Sequence, residues 1–248
     1  SYVYNAFGEL LSQTNANNQV TTFNYDAIGR QSRRQDPSGT TCWEYGSSAV
    51  SYNLNKLVRV RSFDSNVACD TAVTPAYEEI YSYNSRGLAS GKLVRTAGSS
   101  FRISSTYDSY NRLNLLTYPS WSLNPADDVV IKHHYDNGAL TKLIDNQTNR
   151  VYQQVSAINA RGQATKVTYA NGVTEDRAFY AHSGWLDTLS VKRGSTHVHN
   201  MDYNYDYVGN VSQRQLNFGS AGSKAGFTEV FGYDDLHRVT SRTISAVS

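Results

Sequence analysis

Apolar and polar positions alternate along this chain, and they do not recur every three to four residues. Gln19-Val20-Thr21-Thr22-Phe23-Asn24-Tyr25 and Lys166-Val167-Thr168-Tyr169-Ala170 read as half-solvated strands, because successive side chains of a strand point to opposite faces. No stretch of ten or more residues carries a convincing 3.6-residue apolar period. The second strand meets Val173-Thr174-Glu175 across Asn171-Gly172, and Asn-Gly is the strongest short hairpin signal because both residues accept positive φ. In that hairpin one face is expected to collect Val167, Tyr169 and Tyr180 and the other Lys166, Glu175, Arg177 and Phe179, so neither face reads as uniformly apolar.

A repeat punctuates the strands. Its clear copies are Tyr4-Asn5-Ala6-Phe7-Gly8, Tyr25-Asp26-Ala27-Ile28-Gly29-Arg30, Tyr83-Asn84-Ser85-Arg86-Gly87, Tyr107-Asp108-Ser109-Tyr110-Asn111, Tyr205-Asp206-Tyr207-Val208-Gly209 and Tyr233-Asp234-Asp235-Leu236-His237. Weaker copies are Tyr52-Asn53, Tyr135-Asp136-Asn137-Gly138, Ile158-Asn159-Ala160-Arg161-Gly162 and Tyr180-Ala181-His182-Ser183-Gly184. Together they make ten units spaced 21 to 31 residues apart, as tandem hairpins with insertions in their connections would be. Asn111 and His237 replace Gly in two copies, and both tolerate a left-handed backbone, so the position is read as one of positive φ. Asp and Asn interchange after the Tyr, which favours a side-chain oxygen accepting backbone N–H groups in an Asx turn over proton transfer.

The ten units resemble the Rhs-repeat, or YD-repeat, family, whose signature is Tyr-Asp-x-x-Gly-Arg-Leu; Tyr25 to Arg30 matches it best. Members include bacterial polymorphic toxins, the C components of insecticidal toxin complexes and the extracellular part of teneurins. The resemblance implies an all-β fold of tandem antiparallel hairpins in a curled or spiral sheet, part of a hollow shell. It also implies a fragment of a larger exported, secreted or cell-surface protein, partnered by the remainder of its Rhs-type parent and by an enclosed effector, and no cofactor. Strand spacing supports a shell independently: about twenty strands at ~4.8 Å give roughly 100 Å of sheet, which must curl to a radius on the order of 15–20 Å or split.

Composition narrows the partners. The 248 residues carry 23 Lys+Arg and 21 Asp+Glu, a net charge of +2 that gives no electrostatic signature of nucleic-acid binding. No apolar run is long enough for a membrane-spanning helix. Nineteen Tyr residues, with a mean hydropathy of −0.53, fit largely solvated strands. The whole of 1–248 reads as one repeat region, and unpaired strands at its ends would favour self-association.

No catalytic set stands out. Asp36-Pro37-Ser38-Gly39 reads as a plain β-turn. His133-His134 and His197-Val198-His199 lack a third metal ligand, and Gly219 to Gly226 reads as a flexible insertion and not as a phosphate loop. Trp121 and Trp185 are candidate glycan-stacking residues for a carbohydrate-binding or adhesion module, against the alternative that they fill gaps between strands. Cys42 and Cys69 are the only cysteines, forming either a bridge in an exported protein or two buried thiols; a bridge would close 26 intervening residues.

Overall fold

The computed structural model describes residues 1–96, 98–120, 124–219 and 225–247. The chain divides into two compact units, Ser1–Val130 and Ile131–Ser248. The first contains β1 (Tyr2–Tyr4), β2 (Leu10–Thr14), β3 (Val20–Tyr25), β4 (Gln31–Asp36), β5 (Gly39–Tyr45), β6 (Leu57–Phe63), β7 (Tyr77–Tyr83), β8 (Ala89–Thr96), β9 (Ser99–Tyr107) and β10 (Leu113–Tyr118). The second contains β11 (Val129–Asp136, of which Ile131 onward belongs to this unit), β12 (Ala139–Asp145), β13 (Val151–Ile158), β14 (Ala164–Tyr169), β15 (Val173–Phe179), β16 (Leu186–Arg193), β17 (Thr196–Tyr205), β18 (Val211–Phe218), β19 (Gly226–Tyr233) and β20 (Val239–Ala246). Apart from one 3-10 turn at Pro125–Asp127, every regular element among the described residues is a strand. The fold is all-β.

Each unit is an antiparallel meander in which successive strands pair, β1 through β10 in one and β11 through β20 in the other. A meander returns alternate connections to the same end of its sheet. The connections β1–β2, β3–β4, β5–β6, β7–β8 and β9–β10 therefore share one rim of the first unit, and they hold its repeat turns.

All ten of these rim hairpins, five per unit, contain the same irregularity. Tyr25 opposes Gln31 while Asn24 opposes Arg33, which leaves Ser32 as an extra residue on the outgoing strand. The equivalent extra residues are Leu11, Val58, Ser90, Asn114, Thr141, Thr165, Asp187, Ser212 and Thr240. A bulge bends its strand, increases the right-handed twist and interrupts the ladder, leaving backbone groups to be satisfied in another way.

The Tyr of the following hairpin satisfies one of them. Tyr25 donates its hydroxyl to the carbonyl of Leu10, Tyr45 to Gln31, Tyr83 to Leu57, Tyr107 to Ala89, Tyr205 to Leu186 and Tyr233 to Val211, over 2.6–3.1 Å. Each acceptor is the residue immediately before a bulge. The ladder between hairpins stops short of it, as between β6 and β7, where the last pair toward the rim is Arg59 with Ile80. Among the described residues, Tyr rings of neighbouring hairpins meet in an edge contact of Tyr180 with Tyr205, ring centroids 6.1 Å apart; the hydroxyl makes the repeated tie.

Cross-strand register also corrects the expected faces. Thr168 opposes Thr174, so Val167 faces the same way as Glu175. One row then runs Val155–Val167–Glu175–Val191–His199–Phe218 and a second Arg177–Leu189–Met201–Leu216–Phe227 on the same face, while Lys166–Asp176–Ser190–Asn200–Asn217 lies on the other. The mixed polarity predicted for both faces is thus a property of one: an apolar face interrupted by paired charges, backed by a polar one. In the first unit the buried residues Thr40, Cys42 and Phe63 sit on β5 and β6, on the face carrying Arg33, Arg61 and Glu78.

Removing the hydroxyl tests the tie. Tyr205→Phe should lower unfolding stability by about 1 kcal/mol through the unmade bond at Leu186, whereas Tyr207→Phe, at a residue 95% exposed, should leave it nearly unchanged. Urea denaturation of both variants checks this, and equal effects would remove the tie from the account.

Candidate functional site

The rim turns are built around one side-chain oxygen. In the Asp26 turn, Oδ1 accepts the backbone N–H groups of Ile28 and Arg30, both at 3.0 Å. The Asp26 N–H bonds to the Arg30 carbonyl and the Gly29 N–H to the Asp26 carbonyl, at 2.8 and 3.0 Å. The same four bonds recur at Asn5, Asn84, Asp108, Asn159, Asp206 and Asp234. The third residue after the Asx has positive φ in every copy: Gly8, Gly29, Gly87, Asn111, Gly162, Gly209 and His237. The residue before it points outward, and Phe7, Ile28, Tyr110 and Leu236 are 65–90% exposed.

An eighth copy escaped the sequence pattern because no Tyr precedes it. Asn15 accepts the N–H groups of Asn17 and Gln19 at 2.9 and 3.0 Å, with Asn18 at φ 59°, between β2 and β3 on the opposite rim. The Asn at the cap and the Asn three residues later were the legible signal.

Three weaker copies are built differently. In the Tyr180 copy Ala181 has no side-chain oxygen, and the turn closes through the Tyr180 N–H to the Trp185 carbonyl and the Gly184 N–H to the Tyr180 carbonyl, at 2.8 and 2.7 Å. In the Tyr135-Asp136 copy, Asn137 and Gly138 (φ 47° and 84°) make a two-residue turn and Asp136 pairs with Ala139 in the ladder, so the loop is too short for the Asx cap. At Tyr52-Asn53 the structure moves the phase to Tyr45, which ends β5 and makes the tie to Gln31. Tyr52 and Asn53 belong to the insertion that follows, where Asn53 Oδ1 accepts the Ser48 N–H at 3.1 Å.

The Asp/Asn choice follows the residue four positions on. Asp26, Asp108 and Asp234 use Oδ2 to accept the guanidiniums of Arg30, Arg112 and Arg238, and Asp206 accepts the amide of Asn210 at 2.8 Å. Asn5, Asn15 and Asn159 present Nδ2 instead, donating to Glu9, Gln19 and Gln163 at 2.5, 2.8 and 2.9 Å. The backbone bonds hold the oxygen inward, so the outer atom must match its partner as acceptor to donor. Asn84, followed at that position by Leu88, has an apolar residue there. Desolvation opposes ionisation of Asp26 and Asp108, but the bonds from Arg30 and Arg112 outweigh it and hold both carboxyls below the usual range.

Side chains on one turn reach the next. Arg30 donates to the Asn55 carbonyl (3.1 Å), Lys56 to that of Gly87, and Arg86 to Asp108 O and Asn111 Oδ1 (2.8 and 2.7 Å) in the first unit. In the second, Arg161 reaches the carbonyls of Ala181 and His182 and Gln163 that of Gly184, at 2.7–3.1 Å.

The RHS Repeat family matches residues 4–41, which hold the first two repeat Tyr-Asx turns. Residues 4–41 carry the Rhs repeat. No curated protein sequence matches it. The structure entitled "Crystal Structure of TcdB2-TccC3-Cdc42" is similar at a TM-score of 0.61 and 16% identity, over 97% of this chain and 14% of that one. A chain of the Photorhabdus luminescens Tc holotoxin pore is similar at 0.55 and 13%, over 97% and 15%. At these identities the likeness is one of fold, and the present chain spans about a seventh of either.

Beyond the repeat turns, carboxylates are drawn inward and paired. Glu229, with 0% exposure, accepts Arg214 Nε at 2.6 Å and Arg242 Nε at 2.7 Å. Glu78, 3% exposed, is held by Arg59 and Arg95 at 2.6 and 2.8 Å. Desolvation raises both carboxyls, but the two guanidiniums on each overcome it and leave both below the usual range. Glu79 accepts the hydroxyls of Tyr77 and Tyr81, and that bond pushes Tyr77 up to about 12. Asp202 goes the other way, raised by desolvation and by the charge of Asp187.

Trp185 packs into the rim. A Cβ at Gly209 would lie 2.7 Å from its Cζ2, and the Tyr205 ring is 5.0 Å away, so the indole packs against the Tyr205–Gly209 turn. Trp121 and residues 220–224 of the Gly-rich stretch lie outside the described residues. Cys42 on β5 and Cys69 in the 64–76 connection are joined by a disulfide, Cα atoms 5.8 Å apart. No group of three or more metal-ligating side chains occurs among the described residues, and no helix among them is long and apolar enough to cross a membrane.

Two outcomes follow from these pairings. Asp234→Asn should destabilise the chain, because Nδ2 would face the Arg238 donors, and adding Arg238→Gln should recover most of the loss; a double-mutant cycle with no coupling would contradict the rule. For Glu229, a lowered folded value means its contribution is complete above the usual glutamate range and is lost as pH falls through that folded value. Glu229→Gln should therefore be less stable than the parent at pH 7, with the gap closing below about pH 4, read from denaturation at a series of pH values.

Proposed function

We propose that the chain is a non-catalytic wall segment of an Rhs-type shell, one that encloses or carries another polypeptide segment of its parent. The observation that carries this is the ten-fold bulge with its Tyr tie, a device that bends a sheet progressively and joins each hairpin to the last. A wall needs this regularity and no tight site. The parent is exported, and the Cys42–Cys69 disulfide supports that reading.

Its partners are the remainder of the Rhs-type polypeptide and the enclosed effector, with strand edges available for further pairing: all eight residues of β20 are exposed. The alternative of a carbohydrate-binding module would rest on Trp185, which lies against Gly209 and Tyr205 and lines an open cleft with Tyr180, His182 and Tyr207.

The intact parent polypeptide provides the test. Its enclosed segment should resist protease while the wall is intact and become sensitive when Tyr83→Phe, Tyr205→Phe and Tyr233→Phe are combined. Equal protease sensitivity with and without a sound wall would overturn enclosure.

A further inference from the structure

The 64–76 connection between β6 and β7 folds over one face of the first unit. The disulfide from Cys69 to Cys42 anchors it, Arg33 donates to the Val67 carbonyl at 3.1 Å, Arg61 donates to the Cys69 carbonyl, and the Val67 N–H reaches Thr40 Oγ1 at 3.3 Å. Beyond the anchor, residues 71–75 roof a cleft of about 500 Å³ over Arg59, Arg61, Glu78 and Arg95, a volume in the usual range of ligand sites.

Cross-strand pairing makes the cleft cationic. Arg61 on β6, Glu78 on β7 and Arg95 on β8 lie in one row, with Arg59 two residues from Arg61 on the same face. Three guanidiniums thus line a cleft whose one carboxylate, Glu78, is paired with Arg59 and Arg95, while Glu44 pairs with Arg61 from β5, which leaves one positive charge in excess. At Glu229, by contrast, two arginines suffice for a buried glutamate.

Donors are left over. A guanidinium has five N–H groups; Glu78 takes Nε and Nη2 of Arg59 and Nη1 of Arg95. Arg61 spends Nη2 on Glu44 and Cys69, and its Nε is buried without a partner. Arg59 and Arg95 remain 38% and 51% exposed, so their free edges are reachable. The roof contributes Thr71 and Thr74 and no acid.

We propose that this cleft binds a tetrahedral oxyanion, phosphate or sulfate, beneath a roof that the Cys42–Cys69 disulfide holds in place. Glu78 already fills the role a ligand carboxylate would take between Arg59 and Arg95. The additional guanidinium and the spare forks suit a ligand with more than two oxygens and a higher charge. The proposal is independent of enclosure, since it concerns anion binding by the chain itself.

The test titrates inorganic phosphate and sulfate, at constant ionic strength against chloride, into the oxidised chain and follows binding by calorimetry and thermal unfolding. Saturable binding is expected with at least one of the two, weakened at least tenfold by Arg95→Met. Thr74→Glu, on the exposed roof and away from the Glu78 pairing, should weaken it as much without altering the fold. Reduction of the disulfide should also weaken it. Glycerol phosphate and a sulfated monosaccharide, run beside the inorganic ions, distinguish an ester-borne group from a free ion. Equal responses to all anions, or binding unchanged in both variants, would overturn the site; affinity unchanged on reduction would overturn the disulfide-held roof.

Discussion

The structure depends on a bulge and the hydroxyl that completes it. An extra residue on the outgoing strand of each rim hairpin interrupts the ladder, and a long antiparallel sheet cannot leave such a backbone carbonyl unsatisfied without cost. The Tyr at the end of the next incoming strand supplies the donor in six repeats. Bending and joining are thereby done at one place. The aromatic ring spans the gap opened by the bulge, which explains why a phenol stands there more often than the Phe179 or Ile158 that end two of the strands.

The rim turns add a second layer of specification. Their Asx oxygens satisfy backbone N–H groups that no strand can reach, and the outer atom of the same side chain is matched to position four onward, carboxylate to Arg or Asn and amide to Glu or Gln. Neighbouring turns are then linked through the long side chains of Arg30, Lys56, Arg86 and Arg161. Only ten residues among those described are buried, two of them glycines and four polar or charged. Stability in these units is consequently carried by hydrogen bonds and ion pairs along the sheets more than by an apolar core.

The 64–76 connection departs from the repeat and gives one unit a covered cationic face. Here too a buried carboxylate, Glu78, is held between guanidiniums, with a further arginine, Arg61, beside it in the same row. The disulfide takes the place of apolar packing, because few residues of this segment are large and apolar.

The sequence by itself determined the repeat, its hairpin character, the Asx cap and the positive-φ position, since these depend on short-range chemistry among residues within five positions of one another. Asn111 and His237 were legible as left-handed residues for that reason. Only the tertiary structure decided what depends on register: that Val167 shares a face with Glu175, that Tyr45 and not Tyr52 carries the phase, and that Asp136 lies in a ladder instead of a cap. It also joined Cys42 to Cys69 and set Trp185 against Gly209. A bulge shifts register by one residue and so exchanges the two faces of a strand, and no local pattern of Tyr, Asp and Gly records where that shift falls.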